Sequence, residues 1–300
     1  MTTPEFGSVE AIQAAFAGNG YLADVDLATS LYLSLTLGRP LFLEGEAGVG
    51  KTEVARTLAQ VTGGELIRLQ CYEGIDASTA LYEWDYPRQM LEVRLLEARG
   101  EAASARTRNI FGREFLVRRP LLRAIESEGP VAPVLLIDEV DRADEEFEAF
   151  LLELLADFAI TIPELGTITA TIKPRVILTS NRTREVHDAL KRRCFYHWID
   201  YPSAARELAI LQARLPNLND RLAAETVAFV QRLRTSDLSK LPGVAETIDW
   251  AAALESLGAR QLTAEDVDRT LGVLLKYQED VARTRGEGSR SLLAEIKAGR

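Results

Sequence analysis

Apolar positions at Val9, Ile12, Ala15 and Phe16, and then at Leu27, Leu31 and Leu35, recur at helical spacing, so residues 8–38 read as helices. Short apolar runs follow in a different rhythm. Leu41–Leu43, Leu66–Cys71, Val134–Ile137, Val176–Thr179 and Tyr196–Ile199 read as five strands. The third, Val-Leu-Leu-Ile, has no polar alternation, the pattern of a strand buried on both faces of a parallel sheet. Helical stretches separate the strands, notably Glu145–Phe158. Strands alternating with helices predict an α/β layer structure.

Beyond Tyr201-Pro202 the pattern becomes wholly helical. Ser203 is placed to cap a helix over Ala204–Leu215, and Arg221–Leu233 and Val244–Leu257 are two further amphipathic stretches. Thr263-Ala264-Glu265-Asp266 resembles a capping box and opens a fourth helix, expected to run to about Thr284. Gly286-Glu287-Gly288 is expected to break it, leaving 289–300 as a short, loosely held tail. The change of pattern places a domain boundary near 202–206, giving an α/β domain over 1–204 and an all-α domain over 205–300. Residues 72–119 are too long for a plain strand connection and read as an insertion with its own structure.

Between the first strand and the helix-like run from Glu53, residues Gly45-Glu46-Ala47-Gly48-Val49-Gly50-Lys51-Thr52 spell G-x-x-x-x-G-K-T. Strand, glycine-rich loop and helix together make a phosphate-binding loop. Its glycines let the backbone wrap a phosphate chain, and its N–H groups and the helix N-terminus face the anion. Lys51 is expected to reach the β- and γ-phosphates of ATP, with the Thr52 hydroxyl on Mg²⁺. Glu46, Ala47, Gly48, Val49, Gly50 and Glu53 complete the expected nucleotide-binding stretch.

The buried run Val134–Ile137 ends in Asp138-Glu139. Carboxylates at the carboxyl end of a parallel strand stand where open α/β sheets bind ligands. Asp138 would hold the metal and Glu139 would polarise an attacking water. Asn181, after Val176–Thr179, would hydrogen-bond both the γ-phosphate and that water. Arg192 and Arg193, just before the fifth strand, are badly placed for their own nucleotide and well placed to reach a neighbour's, where a guanidinium stabilises phosphoryl transfer.

Composition adds exclusions. The 300 residues are enough for one large or two modest domains, and a net charge of −10 argues against a general nucleic-acid binder. No apolar stretch approaches a membrane span, and the first residues lack a signal-peptide pattern. Cys71 and Cys194, the only cysteines, lie far apart and in no metal-ligand spacing, which points to a reducing cytoplasm. His187 and His197 pair with no ligand at metal spacing. Tyr82, Trp84 and Tyr86 have the i, i+2, i+4 spacing of one face of an extended segment.

The phosphate loop, Asp138-Glu139, Asn181, the Arg192/Arg193 step and the helical C-terminal region together resemble an AAA+ ATPase. Asp138-Glu139-Val140-Asp141-Arg142-Ala143 with Phe150-Leu151-Leu152-Glu153 is similar to the D-E-[IV]-[ND]-R-A … L-L-E signature of the MoxR family. Leu241–Trp250 looks like the CoxD-like subgroup, linked to maturation of molybdenum-containing carbon monoxide dehydrogenase. The resemblance implies a P-loop NTPase core with a five-stranded parallel sheet between helices and a C-terminal helical lid. It also implies Mg²⁺-dependent ATP hydrolysis, Asn181 as sensor 1, Arg192 as the arginine finger with Arg193 as its alternative, and Tyr21-Leu22 near the adenine. The implied partners are further copies of the chain in a hexameric ring, a von Willebrand factor A-domain protein and a client metalloenzyme. The position matching the family's sensor 2 arginine is Asp249, and an acid cannot replace arginine at a phosphate.

Two other classes stand beside this reading. A nucleic-acid motor or loader would share the AAA+ motifs, but the acidic charge and the lack of an appended DNA-binding module oppose it. A small-molecule P-loop kinase would leave Asn181, Arg192 and the helical region unused.

Overall fold

A computed structural model describes residues 6–98 and 110–298. The chain forms two compact units: one built from Met1–Asn19, Ala23–Glu44 and Thr52–Trp198, the other from Gly20–Leu22, Gly45–Lys51 and Ile199–Arg300.

The first unit carries a five-stranded sheet. Its strands are β1 (Leu41–Gly45), β2 (Leu66–Gln70), β5 (Val134–Asp138), β8 (Arg175–Ser180) and β9 (Phe195–Ile199), in the order β2-β5-β8-β1-β9. The β2/β5, β5/β8 and β8/β1 pairs are parallel. Every residue of β1 and β5 is buried, so helices cover both faces there, as the unalternating apolar runs predict. Strand β2, at the edge, alternates in burial along its length. Because the strands are parallel, their carboxyl ends gather on one side: Gln70 pairs with Asp138, Ile137 with Leu178, and Glu44 with Ser180. The core includes Phe42, Ile67, Leu135, Ile137, Phe147, Leu151 and Leu178.

Two small sheets stand beside the main one. Strands β3 (Tyr82–Trp84) and β4 (Leu116–Arg118) pair antiparallel inside the 72–119 segment. Trp84 is buried and meets Phe111 edge-on at 5.4 Å, whereas Tyr86 starts the helix Tyr86–Ala98 and is 63% exposed. The three aromatics therefore do not share one extended face. Strands β6 (Ala159–Ile162) and β7 (Gly166–Thr169) form a hairpin that buries Ile160, Ile162 and Ile168.

The second unit has its own core around Trp250, Phe229, Leu222, Leu254 and Leu271. Helices span Ala204–Arg214, Asp220–Leu233, Val244–Ser256, Ala264–Leu274, Gln278–Thr284 and Glu287–Ala298. Ser203 and Thr263 cap their helices as expected. Two expectations are corrected. The helix opened at Thr263 stops at Leu274, where Leu275 turns into the core, and a new helix starts at Gln278. Residues beyond Gly286 are not a loose tail: Leu293 joins the core, and Ser289 donates to Asp268 at 2.8 Å. Tertiary burial here outweighs the glycines.

Candidate functional site

In the second unit, Gly45–Lys51 makes the loop that joins β1 to the helix Lys51–Thr62. Gly48 has φ +79°, and a Cβ there would lie 2.6 Å from Glu246 Oε2 and 3.1 Å from Gly243 Cα. A Cβ on Gly45 would lie 2.3 Å from the carbonyl oxygen of Ile199. Neither position admits a side chain. Lys51 is buried, and its ammonium donates to the carbonyls of Gly45 and Glu46, each at 2.7 Å. Those bonds hold the amine inside the curl of the loop. The ring of Tyr21 lies 3.6 Å from where a Gly50 Cβ would stand, so this residue does border the loop.

The helix Val244–Ser256 meets the same loop with its first turn. Ala245 N–H donates to Gly48 O at 3.1 Å, and Glu246 caps its own helix by accepting from Gly243 N–H at 3.0 Å. The turn before this helix is anchored by a buried pair. Arg234 donates to both carboxylate oxygens of Glu207, at 2.7 and 2.8 Å, and to Pro242 O at 2.8 Å. Asp249 is exposed on the helix. The contact with the phosphate loop therefore runs through backbone and Glu246, which the sequence reading did not single out.

In the first unit, the acidic pair sits at the end of β5. Asp138 is 2% exposed. Its Oδ1 accepts from the hydroxyls of Thr179 at 2.5 Å and Thr52 at 3.1 Å, and its Oδ2 from Arg68 Nε at 2.9 Å and Nη2 at 2.6 Å. Glu139 has φ 55° and ψ 51°, a left-handed conformation uncommon for a non-glycine residue and frequent at functional sites. Its N–H donates to Thr179 Oγ1 at 2.9 Å. Its Oε2 accepts from Gln70 Nε2 at 3.0 Å and Arg142 Nη1 at 3.1 Å, and its Oε1 from Asn181 Nδ2 at 3.3 Å. Thr52, Asp138, Glu139 and Asn181, spread over 130 positions of sequence, are thus linked through one hydrogen-bonded group.

Asp141, buried one turn later, positions Asn181. It accepts from Asn181 N–H at 3.2 Å and from the Thr183 N–H and hydroxyl at 2.8 and 2.7 Å. Arg68, Gln70 and Thr179 are ordinary strand residues until the sheet sets their neighbours; Gln70 and Thr179 lie at strand ends, Arg68 lies mid-strand, and Asp141 lies within the Asp138–Ala143 signature.

Arg192 and Arg193 end the helix Asp188–Arg193, and both are exposed. Their carbonyls accept from Arg39, at 2.8 Å for Arg192 and 3.3 Å for Arg193, and the Arg39 guanidinium stacks 5.0 Å from the Phe195 ring. His187 caps that helix, accepting at Nδ1 from Ala189 N–H at 3.1 Å. Burial pushes the thiols of both Cys71 and Cys194 up to about 12, with nearby carboxylates led by Asp138 adding to the effect at Cys71. Neither is a nucleophile at neutral pH. Among the described residues no three His, Cys, Asp or Glu side chains gather as a metal cage, and no helix is long and apolar enough to cross a membrane. Thr52 and Asp138 offer neighbouring hard oxygens, which suits Mg²⁺, an ion that takes one or two protein ligands and fills its shell with phosphate and water.

A parallel sheet with its acidic pair on the strand two places from the phosphate-loop strand, and a polar residue ending the strand between them, defines a P-loop nucleotide-hydrolysing ATPase of the AAA+ class. The model of the AAA domain (dynein-related subfamily) matches residues 40–194, more than half of the chain, and the chain belongs to that family. A search of curated proteins gives no match. Among solved structures the fold is similar to Thermotoga maritima RuvB. A proline-to-glycine variant is 17% identical, with TM-score 0.48, covering 90% of this chain and 71% of that one. The Thermotoga maritima RuvB Holliday junction branch migration motor is 15% identical, with TM-score 0.45, covering 87% and 69%.

Proposed function

We propose that the chain is a Mg²⁺-dependent ATPase of MoxR type that remodels or activates a client metalloenzyme. The observation that carries the hydrolytic part is the group formed by Thr52, Asp138, Glu139 and Asn181. Lys51 binds the β- and γ-phosphates, with the backbone of Glu46–Gly50 around them and Tyr21 and Leu22 beside the base. Thr52 and Asp138 would hold the metal. The chemistry Mg²⁺ supplies when bound is neutralisation of charge developing on the phosphate oxygens. Glu139 takes the proton of the attacking water, and Asn181, bonded to the same carboxylate, orients that water. Arg192 completes the site of an adjacent copy in a hexameric ring, with Arg193 as the alternative.

The chaperone part is supported by the Asp138–Ala143 and Phe150–Glu153 signature. The CoxD-like features of Leu241–Trp250 favour a molybdenum-containing carbon monoxide dehydrogenase or related hydroxylase as client, beside a von Willebrand factor A-domain protein. No sensor 2 arginine is assigned. The 1–204 and 205–300 division into nucleotide-binding and lid domains belongs to the same proposal.

The test uses two variants. Lys51→Ala is expected to lose ATP binding; unchanged affinity would refute the phosphate-loop assignment. Glu139→Gln is expected to retain bound ATP without turnover, and as bait to co-purify a von Willebrand A-domain protein and a metalloenzyme subunit. ATPase stimulation by DNA that fades steeply with salt would favour the nucleic-acid motor instead.

A further inference from the structure

Arg68 stands on the edge strand β2, two residues before Gln70, the register partner of Asp138. Both of its donating nitrogens converge on one oxygen of Asp138, Nε at 2.9 Å and Nη2 at 2.6 Å, and Nη2 also bonds Gln70 Oε1. With the Thr52 and Thr179 hydroxyls on Oδ1, the lone pairs of this carboxylate are already engaged.

We propose that Arg68 is the counter-cation of Asp138 and sets the concentration of divalent metal this ATPase requires. A cation taken up by Asp138, directly or through water, competes with the guanidinium for Oδ2 and is repelled by its charge over a few ångströms. The burial of the partners is unequal, and that fits exchange rather than a fixed strut. The Asp138 side chain is 3% exposed while that of Arg68 is 51% exposed, so the arginine can swing into water at little cost. The Arg234–Glu207 pair, at 7% and 0%, has no such freedom. Removing the positive charge therefore leaves Asp138 more available to the metal. Screening at a half-exposed arginine reduces the bare Coulomb effect, leaving a gain in metal affinity of roughly tenfold.

The proposal rests on the Mg²⁺-dependent ATPase reading, and the experiment separates the two. Binding of a fluorescent, non-hydrolysable ATP analogue to the full chain is measured first in EDTA and then along a Mg²⁺ titration, for wild type, Arg68→Gln and Arg68→Lys. The affinity in EDTA is the reference against which each variant's Mg²⁺ titration is scaled. The Mg²⁺ midpoint should fall about tenfold for Arg68→Gln and stay within about threefold of wild type for Arg68→Lys, since lysine keeps the charge. A midpoint that is unchanged or raised in Arg68→Gln overturns the proposal, as does an equal fall in Arg68→Lys. Should Arg68→Gln fail to fold, as read from its thermal melt, Arg68 is a structural residue and the proposal is overturned too. A wild-type chain that binds no analogue, or binds it without regard to Mg²⁺, overturns the ATPase reading itself.

Discussion

Replacing Asp138 by Asn separates the structural share of this residue from its chemical share. The substitution keeps shape and volume at a 2% exposed position and removes the charge. An amide has one acceptor oxygen. If it faces the Thr52 and Thr179 hydroxyls, the amide NH₂ confronts the Arg68 guanidinium, donor against donor. If it faces Arg68, the NH₂ meets Thr179 Oγ1, which already accepts the Glu139 N–H. Either way one charge-assisted interaction is lost. Hydrogen bonds to charged groups contribute about 1.5–3 kcal/mol, and the exposure of Arg68 lowers that to about 1–2 kcal/mol here, because the freed guanidinium is hydrated. For a unit of this size the melting temperature should fall by roughly 3–6 °C. Hydrolysis, in contrast, should fall by roughly a hundred- to a thousandfold, the scale of losing one preorganised electrostatic group. Differential scanning fluorimetry and a phosphate-release assay, run on the same preparation, measure both. ATPase activity within threefold of wild type would show that Asp138 holds no metal. A melting temperature lowered by more than about 10 °C, with activity lost, would show that the carboxylate is a structural keystone and that Arg68 is fixed to it.

Arg192→Ala should abolish turnover while nucleotide binding persists, and mixing it with Lys51→Ala should restore part of the activity; no recovery in mixtures argues for Arg193 or for action within one chain. Leu293→Ala should destabilise the second unit by about 2–4 kcal/mol as a buried leucine of its core, whereas a loose tail would tolerate it without a change in melting. Both buried thiols ionise near 12 in the folded chain against about 9 when exposed. The folded state then binds more protons than the unfolded one across that interval, so stability is full below about pH 9 and is lost as the pH rises toward 12. Alkylation of Cys71 and Cys194 at pH 8 should follow unfolding; rapid labelling of the folded chain contradicts their burial.

The chain itself carries the features that depend on near neighbours. The phosphate loop, the unbroken apolar run before Asp138 and the caps at Ser203 and Thr263 act within a few residues, and local geometry suffices for them. It also determined the α/β class and the all-helical remainder, because periodicity is a local property. The rest depends on which distant segments pack together. The order β2-β5-β8-β1-β9 brings Arg68 and Gln70 to Asp138 and Glu139, though about 70 positions separate them. Pairing of that range depends on which strands are neighbours, and nothing in a six-residue window states it. The same cause explains the missed hairpin at Ala159–Thr169 and the helix Glu287–Ala298: each is held by burial of isoleucines or of Leu293 against distant residues, which offsets weak local preference. The acids could be named from the chain; the cation that holds one of them could be found only once the strands were laid side by side.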